Sequence, residues 1–370
     1  MHKSWWLFLF VMAMLSLHSV TLAQTEPLEV VASFSILADV VAQVAGEHAT
    51  VTAVMPIGVD PHSFEPTPRA LTALSSADVV FTNGIHFEEN LVPILSNTTT
   101  APLVEVSRCV FVREFGLDDH HEDEAEAPEH EHEAETHDHE TAHDESCETL
   151  HAELATLATW FTPAEDAMMA YGCEGEEADH QDSDGGHAHA GCDPHVWQNP
   201  YNVMVWTITV RDTLTELDPA HADEYASNAQ AYLNELNALV TDFILPTLAP
   251  LPVEQRLLVT NHETMGYFAE TFEFRMIATV LEGNTTGADS SLQDLAGLVD
   301  QLTQVGVVAL FAETSAGEGV IQQLAQEINV PVATLYTDSL SESEGVAPTY
   351  LAFMRYNIRT IVEALNHTTP

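Results

Sequence analysis

The chain is almost without lysine. Lys3 is the only one in 370 residues, and nine lysines and arginines in all face 58 aspartates and glutamates, a formal net charge of −49. A Schiff-base lysine or the lysine of a phosphate-binding loop is therefore excluded beyond position 3. A basic face is missing too, which argues against nucleic acid and anionic lipid surfaces as partners, since both need clustered positive charge. Cations are the natural clients of such a chain; the competing reading is that acidity outside its densest tract only solvates the surface. Past the N-terminus no apolar run approaches twenty residues, so no membrane-spanning helix is expected there.

Cysteine is sparse and late. Cys109, Cys147, Cys173 and Cys192 show no Cys-x-x-Cys spacing, which disfavours a cysteine zinc cluster. The start, Met1-His2-Lys3 followed by the apolar run Trp5 to Leu17 and small residues up to Ala23, has the layout of a cleavable secretory signal, with cleavage expected after Ala23. No cysteine precedes Cys109, so the acylated cysteine of an exported lipoprotein is lacking, and a soluble periplasmic or otherwise extracytoplasmic protein without a membrane anchor is expected. In an oxidising compartment four cysteines imply disulfides. One arrangement closes the base of the acidic segment with Cys109 and Cys192 and joins Cys147 to Cys173 inside it; spacing leaves the pairing open.

What is present alternates between strand and helix. Leu28 to Phe34, Thr50 to Met55, Ala77 to Thr82 and Leu103 to Val106 read as strands, with helices at Ser35 to Ala45 and Arg69 to Ala77. Such alternation predicts an α/β fold with mainly parallel sheets flanked by helices. From Asp118 to about Cys192 the composition turns to histidine and acid, as in His120-His121-Glu122-Asp123-Glu124, and lacks the apolar residues needed to offset ordering, apart from an island at Leu150 to Tyr171 suited to a short helix. A helix at Asn202 to Leu217 follows, then one opened by Asp218-Pro219 and reaching about Leu248, roughly 45 Å at 1.5 Å per residue. Strands at Arg256 to Thr260, Val307 to Phe311 and Val332 to Tyr336 complete the pattern. The expected organisation is a signal at 1–23, an N-terminal lobe at 24–217 with the insert at about 118–192, one long rigid backbone helix at 218–250, and a C-terminal lobe at 251–370.

Two stretches repeat an Asp-Pro-His core: Gly58-Val59-Asp60-Pro61-His62 and Asp193-Pro194-His195-Val196-Trp197. Proline stiffens each loop and so lowers the ordering cost of binding a metal. In the second lobe one strand ends at Asn261-His262-Glu263 and another at Thr337-Asp338-Ser339. Ligands of open parallel sheets gather at the carboxyl ends of strands, so four such loops can meet in a cleft between lobes. Three imidazoles and one carboxylate, His62, His195, His262 and Asp338, make a four-coordinate set suited to Zn2+, with Mn2+ or Fe2+ as alternatives. Glu313, at a strand end near the cleft, is a candidate to hydrogen-bond a ligating imidazole or to cap the next helix. His86 reads as a surface residue.

With these motifs, joined by Glu65-Pro66-Thr67-Pro68, Thr264-Met265-Gly266-Tyr267 and Phe311-Ala312-Glu313, the chain resembles the zinc and manganese solute-binding proteins of ABC importers, the cluster A-I or periplasmic zinc-uptake family. The resemblance covers the whole chain apart from its signal. It implies ligation by His62, His195, His262 and Asp338, two from each lobe; a membrane permease as partner; a monomer; and capture of Zn2+ without catalysis. Asn199 stands where an aspartate often follows the second motif, and the insert is longer than usual and carries cysteines. Family members that carry zinc commonly have a histidine-rich acidic loop, which here reads as an antenna or as a passive solvated loop. A secreted zinc hydrolase is the rival from another class, but four candidate ligands from four loops would close the site and leave no open position for water. A purely structural role for metal in an adhesion protein is the third. Histidine ligation predicts a metal affinity that falls as pH drops through about 6.5, because imidazoles must lose their protons to bind; an affinity unchanged across a pH series of titrations would count against it.

Overall fold

The computed structural model describes residues 26–115, 145–164, 167–170, 173, 191–281, 292–317 and 319–366. The expected signal, most of the histidine-rich insert and part of its apolar island lie outside the described residues.

The first lobe grows from β1 (Leu28–Ala32), whose β-branched centre is buried, and α1 (Ser35–Ala45), which turns Ile36, Leu37, Val40, Val41 and Val44 inward at helical spacing. Gly46 ends the helix at φ 58°, a conformation that costs glycine little, and its N–H is bonded to Ala42 O. β2 (Ala49–Ala53), β3 (Val79–Thr82) and β4 (Leu103–Glu105) join β1 in one parallel sheet of order β2-β1-β3-β4, with α2 (Pro68–Ser75) and α3 (Val92–Thr98) between strands. Thr67 caps α2 by accepting from the Ala70 N–H, with Pro68 at the first helical position.

A short antiparallel pair, β5 (Phe111–Val112) with β6 (Met168–Met169), and α4 (Glu145–Leu154) form the described base of the insert. The disulfides are Cys109–Cys147 and Cys173–Cys192. This corrects the arrangement suggested above. Cys192 is bridged to Glu114 and Asp193 N is bonded to Arg113 O, so the returning chain lies along β5 and meets Cys173, while α4 carries Cys147 to Cys109.

α5 (Pro200–Leu217) is buried over most of its first three turns, Trp206 donating to Ser107 Oγ at 2.9 Å. The long helix begins with a 3-10 turn at Pro219–His221, continues as α6 (Ala222–Ala238), widens into a π stretch at Leu239–Ile244 and closes at Leu245–Leu248. Pro246 accounts for the widening: it has no N–H for the carbonyl four residues back, and its ring would clash there in a regular helix. Asp218 stands at the N-cap position, as the sequence suggests, but its carboxylate accepts from the side chains of His221 and Tyr225.

The second lobe pairs β7 (Leu257–Thr260) with β8 (Arg275–Thr279), and β9 (Leu310–Glu313) with β10 (Val332–Leu335), all parallel; β7 and β9 lie side by side, and α7 (Gly266–Phe272), α8 (Leu292–Val305) and α9 (Gly319–Ile328) connect them. β9 runs later than its expected Val307 to Phe311 because the N–H groups of Gly306 (φ 79°) and Val307 are bonded to Leu302 O, which holds Val307 in the end of α8. The larger core is continuous from β1 through α5 and α6 to α10 (Tyr350–Asn366). Polar contacts fix one lobe on the other: Leu340 N donates to Ser35 Oγ (3.0 Å), Gly58 N to Ser339 Oγ (2.8 Å), Trp197 Nε1 to Thr337 O (2.7 Å) and the Tyr350 hydroxyl to Trp197 O (2.8 Å).

Candidate metal centre

The two Asp-Pro-His motifs fold by the same device. Asp60 Oδ1 accepts the His62 N–H at 3.0 Å and its Oδ2 the Ser63 hydroxyl at 2.8 Å, winding the turn Pro61–Ser63 that carries His62. Asp193 Oδ1 accepts the His195 N–H at 2.9 Å and also lies 2.7 Å from His195 Nδ1. Asn199, the residue that departs from the resemblance, caps α5 by accepting from Tyr201 N. His262 and Asp338 follow the carboxyl ends of β7 and β10.

The structure brings all four side chains together. The imidazole centroids form a nearly equilateral triangle, 5.4 Å from His62 to His195 and 5.5 Å from His262 to each of the others. His62 Nε2 and His195 Nε2 are 3.3 Å apart, about the edge of a tetrahedron with zinc–nitrogen bonds near 2.0 Å. Asp338 Oδ1 stands 4.0 Å from His195 Nε2, and Oδ2 4.0 Å from His262 Nε2. His195, His262 and Asp338 are buried and His62 is half-buried, which makes His62 the member nearest solvent. Among the described residues, His262 Nε2 and Asp338 Oδ1 are buried polar atoms with no hydrogen-bond partner.

Around the donors lies a layer that sequence reading only partly located. Glu313 Oε1 accepts the His262 N–H at 3.0 Å, while Oε2 sits 2.7 Å from His262 Nδ1, a close charge contact rather than an aligned hydrogen bond. Asp338 Oδ2 accepts from Ser315 (2.6 Å) and Thr337 (3.2 Å). Phe87, beside the exposed His86, sets its ring against His62, His195 and Trp197. No motif singled out Phe87 or Ser315.

Arg113 escaped sequence reading altogether, although it is one of only eight arginines. Its Nη1 pairs with Asp193 Oδ2 (2.9 Å) and Glu263 Oε1 (3.1 Å), linking the base of the insert to the neighbours of two candidate ligands, one in each lobe. Gly266 makes the room: a Cβ there would fall 1.8 Å from Nη1. The Tyr267 hydroxyl adds a bond to Asp193 O at 2.8 Å. A groove of about 690 Å3 lined by Arg113, Gly266 and Tyr267 includes none of the four candidate ligands in its walls.

The imidazoles do not share one protonation state. Burial, reinforced by the neighbouring His195, lowers His62 to about 4, so it is neutral at pH 7. Burial also disfavours a charge on His262, but the Glu313 carboxylate outweighs it and pushes His262 up to about 9. Burial opposes the charge on Asp338 as well, yet the three histidines hold it below the usual carboxylate range. At neutral pH the set therefore contains an imidazolium, at His262.

The sequence profile of the family described as zinc-uptake complex component A, periplasmic, matches residues 30–364. A manganese-binding lipoprotein, MntA, of Halalkalibacterium halodurans is 29% identical over 342 residues, covering 92% of this chain and 89% of the relative. A manganese ABC transporter substrate-binding lipoprotein, PsaA, of Streptococcus anginosus is 26% identical over 342 residues, covering 92% and 90%. The solved periplasmic zinc-binding protein TroA of Treponema pallidum superposes with a TM-score of 0.67 at 23% identity, covering 92% of this chain and 99% of that one, a likeness of fold.

Two outcomes are expected. Binding of a divalent cation at pH 7.5 releases the His262 proton, so affinity falls about tenfold per pH unit on acidification from about pH 9, not only below 6.5 as the unperturbed imidazole suggests; calorimetry in buffers of differing ionisation enthalpy counts the protons, and zero release would refute the imidazolium. Arg113→Met strands two carboxylates and should cost about 3–5 kcal/mol in denaturant unfolding, and Gly266→Ala, which pushes the same guanidinium aside, should lower stability without adding fully in the double variant. Full additivity would mean that the two do not act through one contact.

Proposed function

Because the chain belongs to the periplasmic zinc-uptake complex component A family, we propose that it is the solute-binding component of an ABC importer, that its cargo is Zn2+, and that His62, His195, His262 and Asp338 hold the ion between the lobes. The observation that carries this reading is the pair of orphaned atoms, His262 Nε2 and Asp338 Oδ1, buried beside two further imidazoles. A buried polar atom without a partner costs about 1–3 kcal/mol, and a cation would satisfy both at once.

The donor chemistry favours zinc. Ser315 and Thr337 occupy Asp338 Oδ2, leaving Oδ1 as the one oxygen to join three nitrogens, a four-coordinate set. Manganese favours oxygen ligands and six-coordination, which this set supplies poorly. The relatives named for manganese make that metal the specific competitor.

In this reading the ion enters past half-buried His62, releases the proton of His262 to solvent and is closed over by small movements of the loops, since the lobes are already fixed by hydrogen bonds at Ser35, Trp197 and Tyr350. Asp193 and Glu313 orient His195 and His262 and raise their affinity for the ion. The loaded protein then docks on the membrane permease. The histidine-rich insert collects zinc weakly and passes it on. In this reading the protein acts as a monomer.

Zinc titration with manganese competition tests the reading on the intact chain, on a chain lacking the histidine-rich residues 118–144, which keeps both disulfides, and on His62→Ala in each. One tight zinc site should survive the deletion and weaken more than about a hundredfold with His62→Ala, beyond the 10–100-fold effect of outer-sphere changes. Tight binding lost with the insert alone would move the site out of the cleft, and preferential manganese binding would overturn the choice of cargo.

A further inference from the structure

We propose that His48, His221 and Glu224 form a second divalent-cation site, for zinc-class metals, at the start of the long helix. One imidazole, a second imidazole and a carboxylate each offer a ligand atom here, and these atoms all lie within 4.8 Å of one another. They come from separate places in the chain: His48 from the turn between α1 and β2, His221 from the 3-10 turn that opens the long helix, and Glu224 from the first turn of α6.

The site is built rather than incidental. His221 Nδ1 is bonded to Asp218 Oδ2 at 2.5 Å, and the Tyr225 hydroxyl donates to the same oxygen at 3.0 Å. With Nδ1 committed to a carboxylate, the lone pair of Nε2 is left for a metal, the arrangement by which outer carboxylates orient ligating histidines. The His48 turn is docked independently: Asn228, one turn along from Glu224, donates to Val44 O, and Gly46 at φ +58° passes so close that a Cβ would lie 2.8 Å from Asn228 Nδ2. His48 Nε2 meets Glu224 Oε2 at 2.7 Å, so two of the three donors already face each other.

The His48 and His221 rings are stacked, with centroids 3.9 Å apart and planes at 18°. A metal must lie near the plane of each ring it binds, so loading tilts one imidazole out of the stack. Glu224, more than half exposed, follows without disturbing the core. Side chains about one-quarter exposed on both histidines leave the site open to solvent, and the strong net negative charge concentrates cations around it. Two nitrogens and one oxygen, with water completing the shell, suit zinc better than the oxygen-seeking calcium or magnesium. Bound metal would pin the α1–β2 turn to the long helix, outside the cleft and independent of which cargo the cleft carries.

The test is histidine footprinting of the intact chain with diethylpyrocarbonate, read peptide by peptide in a zinc titration. With zinc at ten times the Kd of this site, modification of both His48 and His221 should slow about tenfold by mass action. Glu224→Gln, which keeps a hydrogen-bond acceptor but not the charge, should shift that protection to about tenfold higher zinc or beyond. His262→Ala should leave it unchanged, which separates this site from the cleft. Equal modification with and without millimolar zinc, or protection that disappears with His262→Ala, would overturn the proposal.

Discussion

Asp193 is a buried carboxylate with both oxygens committed. Oδ1 holds the backbone and ring of His195, and Oδ2 receives Arg113, which in turn binds Glu263 across the lobe boundary. An ionised carboxylate in such a place is tolerated only because a cation and hydrogen bonds replace the water it lost. From this pair the orientation of His195, the approach of α7 through Gly266, and the attachment of the insert base to the cleft all follow. The chain spends one of its few positive charges here.

The second lobe mirrors the logic without an arginine. Glu313 faces His262, and burial that would strip the imidazole of its proton is outweighed by the neighbouring negative charge. The two histidines thus stand behind different kinds of carboxylate: one neutralised by a guanidinium, one balanced by the imidazole itself. The three imidazoles and the Asp338 carboxylate between them thus form one buried cluster drawn from both lobes. Hydrogen bonds made by Ser35 (from Leu340 N), Gly58, Trp197 and Tyr350 across the interface hold the loops in this arrangement.

Much of this was legible in the sequence because it is local. The strand-helix alternation, the Asp-Pro-His turns and the polar residues at strand ends depend on periodicity and on what proline and aspartate do to the next two residues, and the two lobes with parallel sheets follow from them. Element ends were less legible: β9 starts later than its apolar run because Val307 is bonded back to Leu302 at the end of α8, and the long helix widens where Pro246 denies it a hydrogen bond.

The sequence by itself determined which donors the chain owns, how stiff their loops are and that almost no lysine or arginine competes for the acidic groups. Only the tertiary structure decided which carboxylate stands behind which imidazole, that Arg113 rather than any motif residue ties the lobes at Asp193, and that Cys109 meets Cys147 while Cys173 meets Cys192. The reason is physical. Periodicity and turn chemistry act over a few residues and are written in the order of the chain, whereas the charge state of His262 and the pairing of cysteines depend on distances between residues tens of positions apart, which exist only after the lobes have packed.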